Sequence, residues 1–145
     1  MEIRTEAVVE DLPNGFDILR AEARSEGFRQ MERLATDWDA HTTRFDRDGE
    51  ALLAALVDGV LAGIGGLTVD PVVPTAFRMR RFYVRPVFRR VGVGRQLVLA
   101  LLARARPSEM IAVNAAPGSV RFWEAIGFAP DQRDGHTHIL HRANS

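Results

Sequence analysis

Apolar and polar positions divide the 145-residue chain into alternating runs of two periods. "IRTEAVV", from Ile3, alternates as a half-buried strand does. "DLPNGFDILRAEAR" and "EGFRQMERLATDW" follow helical spacing, and the second puts Phe28, Met31, Leu34, Ala35 and Trp38 on one face. "ALLAALVDGVLAGIGGLTV" reads as a hairpin: two apolar runs meet at Asp58-Gly59, a pair that suits a type I′ turn. The two prolines of "DPVVPT" predict an extended connector into a strand, "AFRMRRFYV". A helix follows with Val93, Leu97, Val98, Leu101 and Leu102 on one face, ending before Pro107. "MIAVN" predicts a short buried strand. "PGSVRFWEAIGF" predicts a helix begun near Ser119 and closed by Gly127 in the left-handed conformation, and "RDGHTHILHR" a turn and a last strand. The order β-α-α-β-β-β-α-β-α-β implies an α/β (α+β) fold, a mixed sheet covered by helices.

Composition narrows the classes. One domain over residues 1–145 is expected, with 46% hydrophobic and 26% charged residues giving a chain that can fill a core and stay in water. No apolar run approaches the roughly 20 residues of a membrane span. The acidic start "MEIRTEAVVEDLPNG" lacks the pattern of a secretory signal, so a cytoplasmic location is expected. Without cysteine there are no disulfides and no thiolate chemistry. Residues 1–58 hold 14 acids against 7 arginines, and residues 59–145 hold 12 arginines against 5 acids. This asymmetry reads either as two solvated faces, or as an anion site in the second half and a cationic partner for the first.

Chemistry concentrates in "RPVFRRVGVGRQLVLALL", residues 85–102. A helix N-terminus presents backbone N–H groups without intrahelical partners and the positive end of the helix dipole. Gly92 and Gly94 lack Cβ atoms there, and Arg89, Arg90 and Arg95 add charge, which together describe a phosphate cradle. The plainer alternative is a tight strand-to-helix turn with solvated arginines. A Walker loop is excluded because the chain has no lysine, and a dinucleotide fingerprint would need glycine where Leu97 stands. "GIGG" at 63–66 fails both templates and reads as close packing or a bulge within a strand.

"RRFYVRPVFRRVGVGRQLVLALL" resembles motif A of the GNAT superfamily of acyl-CoA-dependent N-acyltransferases, with the signature Arg89-x-x-Gly92-x-Gly94. "SVRFWEAIGF" is similar to motif B, and the likeness spans roughly residues 55 to 142. It implies a mostly antiparallel central sheet with two splayed strands, and transfer of an acetyl group from acetyl-CoA to a primary amine of a small molecule or peptide. By that resemblance the backbone of Phe82, Tyr83 and Val84 would pair with the pantetheine arm. The Val84 N–H would face the thioester carbonyl as an oxyanion donor. The N–H groups of Arg90, Val91, Gly92, Val93, Gly94 and Arg95 would hold the diphosphate. Asn114 would stand at the end of the splayed strand, and Ser119 and Phe122 beside the arm. Two departures stand out: the motif B tyrosine is Trp123, whose indole has no proton to give near neutral pH, and the early motif B asparagine is Ala116. Tyr83, the one tyrosine of the chain, reads as packing rather than acid.

Acylation needs a neutral amine, and an alkyl amine with a pKa near 10 must first lose a proton. Position suggests Asp70, at the hairpin's end, and Glu109, His138 and His41 as bases, although a surface carboxylate or hydrogen-bonded histidine is the ordinary reading of each alone. "FRMRRFYV" offers no acid, which favours a water-mediated base. His136, His138 and His141 suit a terminal strand better than a metal site, and no metal is expected. Glu32, Asp37 and Asp39 border the expected acceptor entrance and would favour a cationic acceptor, against the plainer reading of solvated charge. No nucleic-acid or membrane partner is expected, and a homodimer is left open. The alternatives are a non-catalytic acyl-CoA-binding or sensing module, which the missing tyrosine makes plausible, and an anion-binding adaptor.

Overall fold

A computed structural model describes residues 1–105, 110–133 and 135–142. The chain runs β1 (Ile3–Ala7), α1 (Phe16–Ser25), α2 (Gln30–Ala40), β2 (Ala51–Val57), β3 (Val60–Val69), β4 (Phe77–Val84), α3 (Val93–Arg104), β5 (Met110–Val113), α4 (Val120–Ile126), β6 (Ala129–Arg133) and β7 (His136–His141). One seven-stranded sheet has the order β1-β2-β3-β4-β5-β7-β6. Every neighbouring pair is antiparallel except β4 with β5. The expected mixed, mostly antiparallel sheet is therefore present.

Helices cover both faces. Val93, Leu97, Val98 and Leu101 of α3 join Trp123 and Phe128 in one core, while Leu19 of α1 and Met31, Leu34 and Trp38 of α2 anchor the other. The middle strands are buried on both sides, so β2 reads as a continuous apolar run: Leu53 and Ala55 face α3, Leu52 and Ala54 the other core. The hairpin closes at Asp58-Gly59, with φ of +48° and +84° and Val57 opposite Val60, as a two-residue turn of this type requires.

Three boundaries differ from expectation. The stretch before Phe16 is not helical, because Gly15 enters the left-handed region at φ +90° and α1 begins after it. "APDQR" forms β6, an edge strand with no apolar alternation to announce it and with Pro130 tolerated at the sheet margin. Gly127 closes α4 at φ +124°, a positive but more extended conformation than the left-handed cap. α3 ends at Arg104; Pro107 and Glu109 lie outside the described residues.

Two irregularities of β4 position the site. β4 pairs with β5 only through Phe77–Ile111, Arg78–Ala112 and Met79–Val113, then continues to Val84 without β5, paired with β3 alone. The two parallel strands thus part company after Met79. On the other edge, Ile64 opposes Tyr83 but Gly66 opposes Arg80, so β4 carries one extra residue across from Gly65. Arg81, at φ +61°, absorbs the bulge. Strict alternation from Phe77 and Met79 would send Tyr83 towards α3; the extra residue instead sends Tyr83 into the α1/α2 core and turns Phe82 and Val84 towards α3. "GIGG" serves this geometry, since a Cβ on Gly65 would stand 2.6 Å from the Phe82 ring and one on Gly66 2.4 Å from Phe45.

Candidate active site

The wedge between β4 and β5 opens into a cavity of about 1080 Å³. Its walls come from the start of α2, β4 from Arg78 onward, the loop into α3, and the segment from Val113 to Trp123. The cavity brings together Phe82, Tyr83, Val84, Arg89, Arg90, Gly92, Val93, Gly94, Arg95, Asn114, Ser119 and Phe122. Val91 is exposed and stands outside the wall.

The exposed edge of β4 carries the polar groups. The Arg85 N–H donates to Ala62 O of β3 at 2.8 Å, so by strand alternation the N–H and C=O of Val84 turn to the opposite edge, the one β5 has left. The Val84 carbonyl accepts from Arg89 Nε at 2.9 Å, and the Phe82 carbonyl accepts from Gln30 Nε2 at 3.1 Å. The Val84 N–H is thereby aimed along the wedge.

Below it, the loop delivers the first turn of α3. Gly92 precedes the helix at φ +95°, no side chain caps that end, and a Cβ on Gly92 would meet nothing within 4 Å. The first N–H groups of α3 are therefore open to a ligand. Gly94 has a second reason to be glycine: a Cβ there would come within 2.8 Å of the Phe122 ring. One glycine supplies the backbone turn and the other lets α4 approach α3.

The arginines divide. Arg89, expected as mobile charge, is a strut: its NH1 and NH2 donate to Glu26 at 3.0 and 2.6 Å while Nε holds Val84. Tyr83 also donates its hydroxyl to Glu26. Arg89 and then Tyr83 hold the Glu26 carboxyl below its usual range, and burial, followed by Glu26, pushes the Tyr83 phenol up. Tyr83 is thus a fixed donor within the α1/α2 core. Arg85 bonds Glu22 at 2.6 Å and Arg81 bonds Asp37 at 3.2 Å. The cationic partner of the acidic first half is, at these three acids, the arginine-rich second half of the same chain.

Trp123 is buried against Phe82, Phe122 and Phe128, with ring centroids 5.1, 5.0 and 5.2 Å away, all edge to face. It fills the angle between β4 and α4. The Ser119 hydroxyl donates to the Ala116 carbonyl at 2.7 Å.

Asp70, His138 and His41 lie elsewhere. Asp70 is buried, accepts from the Val72 and Val73 N–H groups and from Arg78, and is not on the wall. His138 is buried between Thr137 and Glu124, at 2.8 and 3.0 Å, and His41 ends α2 on the surface; neither reaches the cavity. Among the described residues the wall includes no aspartate, glutamate or histidine. Among the described residues, too, no three such side chains gather as a metal site would require. Sequence reasoning missed Phe28, Gln30, Arg33, Arg78 and Arg80 on the wall. The alternation of "FRMRRFYV" carried the signal for two of them, since Arg78 and Arg80 share a face of the strand that becomes the cleft wall.

Solved structures share the fold. A candidate acetyltransferase from Exiguobacterium sp. 255-15 is 26% identical, with a TM-score of 0.85 over 97% of this chain and 94% of that one. The glucosamine-6-phosphate N-acetyltransferase of Arabidopsis thaliana is 15% identical, with a TM-score of 0.66 over 92% and 96%. The PaiA N-acetyltransferase of Thermoplasma acidophilum, solved in complex with coenzyme A, is 16% identical, with a TM-score of 0.63 over 98% and 100%. At those lower identities the likeness is one of fold. No curated protein sequence matches the chain. The family described as "Acetyltransferase (GNAT) domain" matches residues 19–140, and with the strands parted beside an open helix N-terminus, the chain belongs to the GNAT acetyltransferases and is an acetyltransferase enzyme.

Proposed function

We propose that this enzyme transfers the acetyl group of acetyl-CoA to a primary amine of a small molecule or peptide. The observation that carries this reading is the parting of β4 from β5 after Met79, directly over the uncapped, glycine-led start of α3. The freed edge of β4 from Phe82 to Val84 is a template for an added strand, which a pantetheine arm with its two amides can supply. Residues 90–95 offer backbone N–H groups, the helix dipole and the Arg90 and Arg95 side chains to a diphosphate. Phe122 and Ser119 line the arm, and Asn114 stands across the wedge from β4.

Val84 N–H donates to the thioester oxygen as negative charge builds there, the moment at which such a donor lowers the barrier. The amine nitrogen bonds to the acetyl carbon, the carbon–sulfur bond breaks, and the thiolate leaves, taking up through water the proton the nitrogen sheds as the amide forms. Without a described carboxylate or histidine on the wall, the proton of the incoming ammonium passes to water.

Release of free thiol from acetyl-CoA against a panel of amino acids, amino sugars, polyamines and peptides tests the reading. Acetyl-CoA binding together with amine-dependent thiol release supports it. Binding with no turnover across the panel supports the binding-only module instead, and equal affinity for sulfate and acetyl-CoA would support an anion adaptor.

A further inference from the structure

We infer that the amine acetylated here carries an anionic group, a carboxylate or a phosphate, which docks on the guanidinium of Arg80 at the foot of the wedge. This rests on the acetyl-transfer reading above and names the acceptor class for the same site. Arg80 is the last regular residue of β4 before the bulge; its side chain is half buried and lines the cavity. Among the described residues it has no hydrogen bond and no ion pair. Its two neighbours differ: Arg78 is paired with buried Asp70 at 3.2 Å, and Arg81 with Asp37 at 3.2 Å.

The carboxylates acting on Arg80 through space, Asp37 and Glu50, are already engaged. Asp37 accepts from Arg81 and Thr42, and Glu50 from the Arg47 and Val69 N–H groups. A cation drawn out of water without a partner is unfavourable unless something supplies the missing charge. Burial, then Arg81 and Arg78, lower the Arg80 pKa, the direction that follows from a guanidinium lacking its counter-ion.

Direction separates this charge from the diphosphate end. Phe77 and Met79 face α3, so alternation turns Arg80 to the α1/α2 side, towards Phe28, Gln30 and Arg33, also on the wall. Arg33 is exposed at the start of α2 and, among the described residues, unpaired; it adds a second cation on that side. The acids expected to attract a cationic acceptor do not line the cavity: Glu32 is held by Arg20 and Arg24, Asp37 by Arg81, and Asp39 is exposed elsewhere. Among the described wall residues a polyamine would meet only like charge, whereas the arginine fork matches a carboxylate or phosphate.

The test compares matched acceptors at saturating acetyl-CoA. One arm sets amino acids against their amides and decarboxylated amines, another sets amino sugars against their phosphate monoesters, and spermidine is the polycationic control. The expected result is a kcat/KM at least about tenfold higher for the anionic member of one arm, which also identifies the anion. Arg80→Gln should erase that preference through the acceptor KM, leave the acetyl-CoA KM unchanged and spare the neutral acceptor; Arg80→Lys should restore part of it. Arg33→Gln, at an exposed position that folding tolerates, should weaken the same preference. Turnover that favours uncharged or polycationic amines overturns the inference while leaving acetyl transfer standing. So does an Arg80→Gln loss equal for charged and neutral acceptors. Failure to bind acetyl-CoA, or binding without transfer to any amine, overturns both readings.

Discussion

Arg89, in the loop ahead of α3, grips Glu26 at the end of α1 with two nearly parallel bonds of 3.0 and 2.6 Å. The same guanidinium bonds the Val84 carbonyl at 2.9 Å, and Tyr83 donates to the same carboxylate. One fork therefore ties α1, the end of β4 and the approach to α3 into a unit.

Glu26→Gln should loosen that unit. Both side chains are partly exposed, so the loss should be about 1 kcal/mol or less, a few degrees of Tm at most. The pH dependence has a definite sign. Glu26 is held below its unfolded value of 4.5, so its contribution is fully present above that pH. As pH falls the contribution shrinks, and it is gone once the folded-state carboxyl is protonated. Urea unfolding of the two proteins should show a gap at pH 7 that narrows below 4.5. A gap independent of pH would mean the substitution acts by something other than charge.

The two loop glycines should fail differently. Gly92→Glu puts a carboxylate where the diphosphate is proposed to lie, and any side chain at φ +95° is strained by roughly 1–2 kcal/mol. Calorimetry should find acetyl-CoA binding abolished in a protein that still folds. Gly94→Ala drives a methyl into the Phe122 ring and should lower stability by about 1–3 kcal/mol. Unchanged acetyl-CoA affinity in Gly92→Glu would refute the cradle.

Trp123→Phe should lower stability by about 1–2 kcal/mol, because the smaller ring leaves space among Phe82, Phe122 and Phe128. Its kcat should stay within a few-fold of the parent. A collapse of kcat with acetyl-CoA affinity and folding intact would show that the indole takes part in the reaction.

The hairpin, the β4–α3 loop and the helix stripes were legible because each depends on local chemistry: a turn pair, two glycines, an apolar period. The bulge was legible only in part: "GIGG" pointed to close packing or a bulge, but nothing in composition marked a left-handed Arg81 on the partner strand, across from the glycine that leaves room for Phe82. β6 was hidden because an edge strand needs no apolar face. The fates of the arginines were equally hidden. "FRMRR" and "RR" look alike in sequence, yet Arg78, Arg81 and Arg89 are matched by acids 8, 44 and 63 residues away, while Arg80 has no such match among the described residues. Charge pairing across the fold, not charge content, decides which cation is left for a ligand.

Asp70 brings this to a sharp test. Its position at the hairpin's end suggests a base, but it accepts two backbone N–H groups at 2.8 and 3.1 Å and holds Arg78, whose side chain is 12% exposed. Asp70→Asn would leave that guanidinium buried without its counter-charge, a loss of about 3 kcal/mol or more. Urea unfolding should register it directly. The pH profile of kcat at a temperature where both proteins are folded should keep its shape, since the carboxylate does not reach the cavity wall. Disappearance of the acid-side limb of the profile on removing Asp70, with stability unchanged, would make it the base and take away its role as the anchor of Arg78.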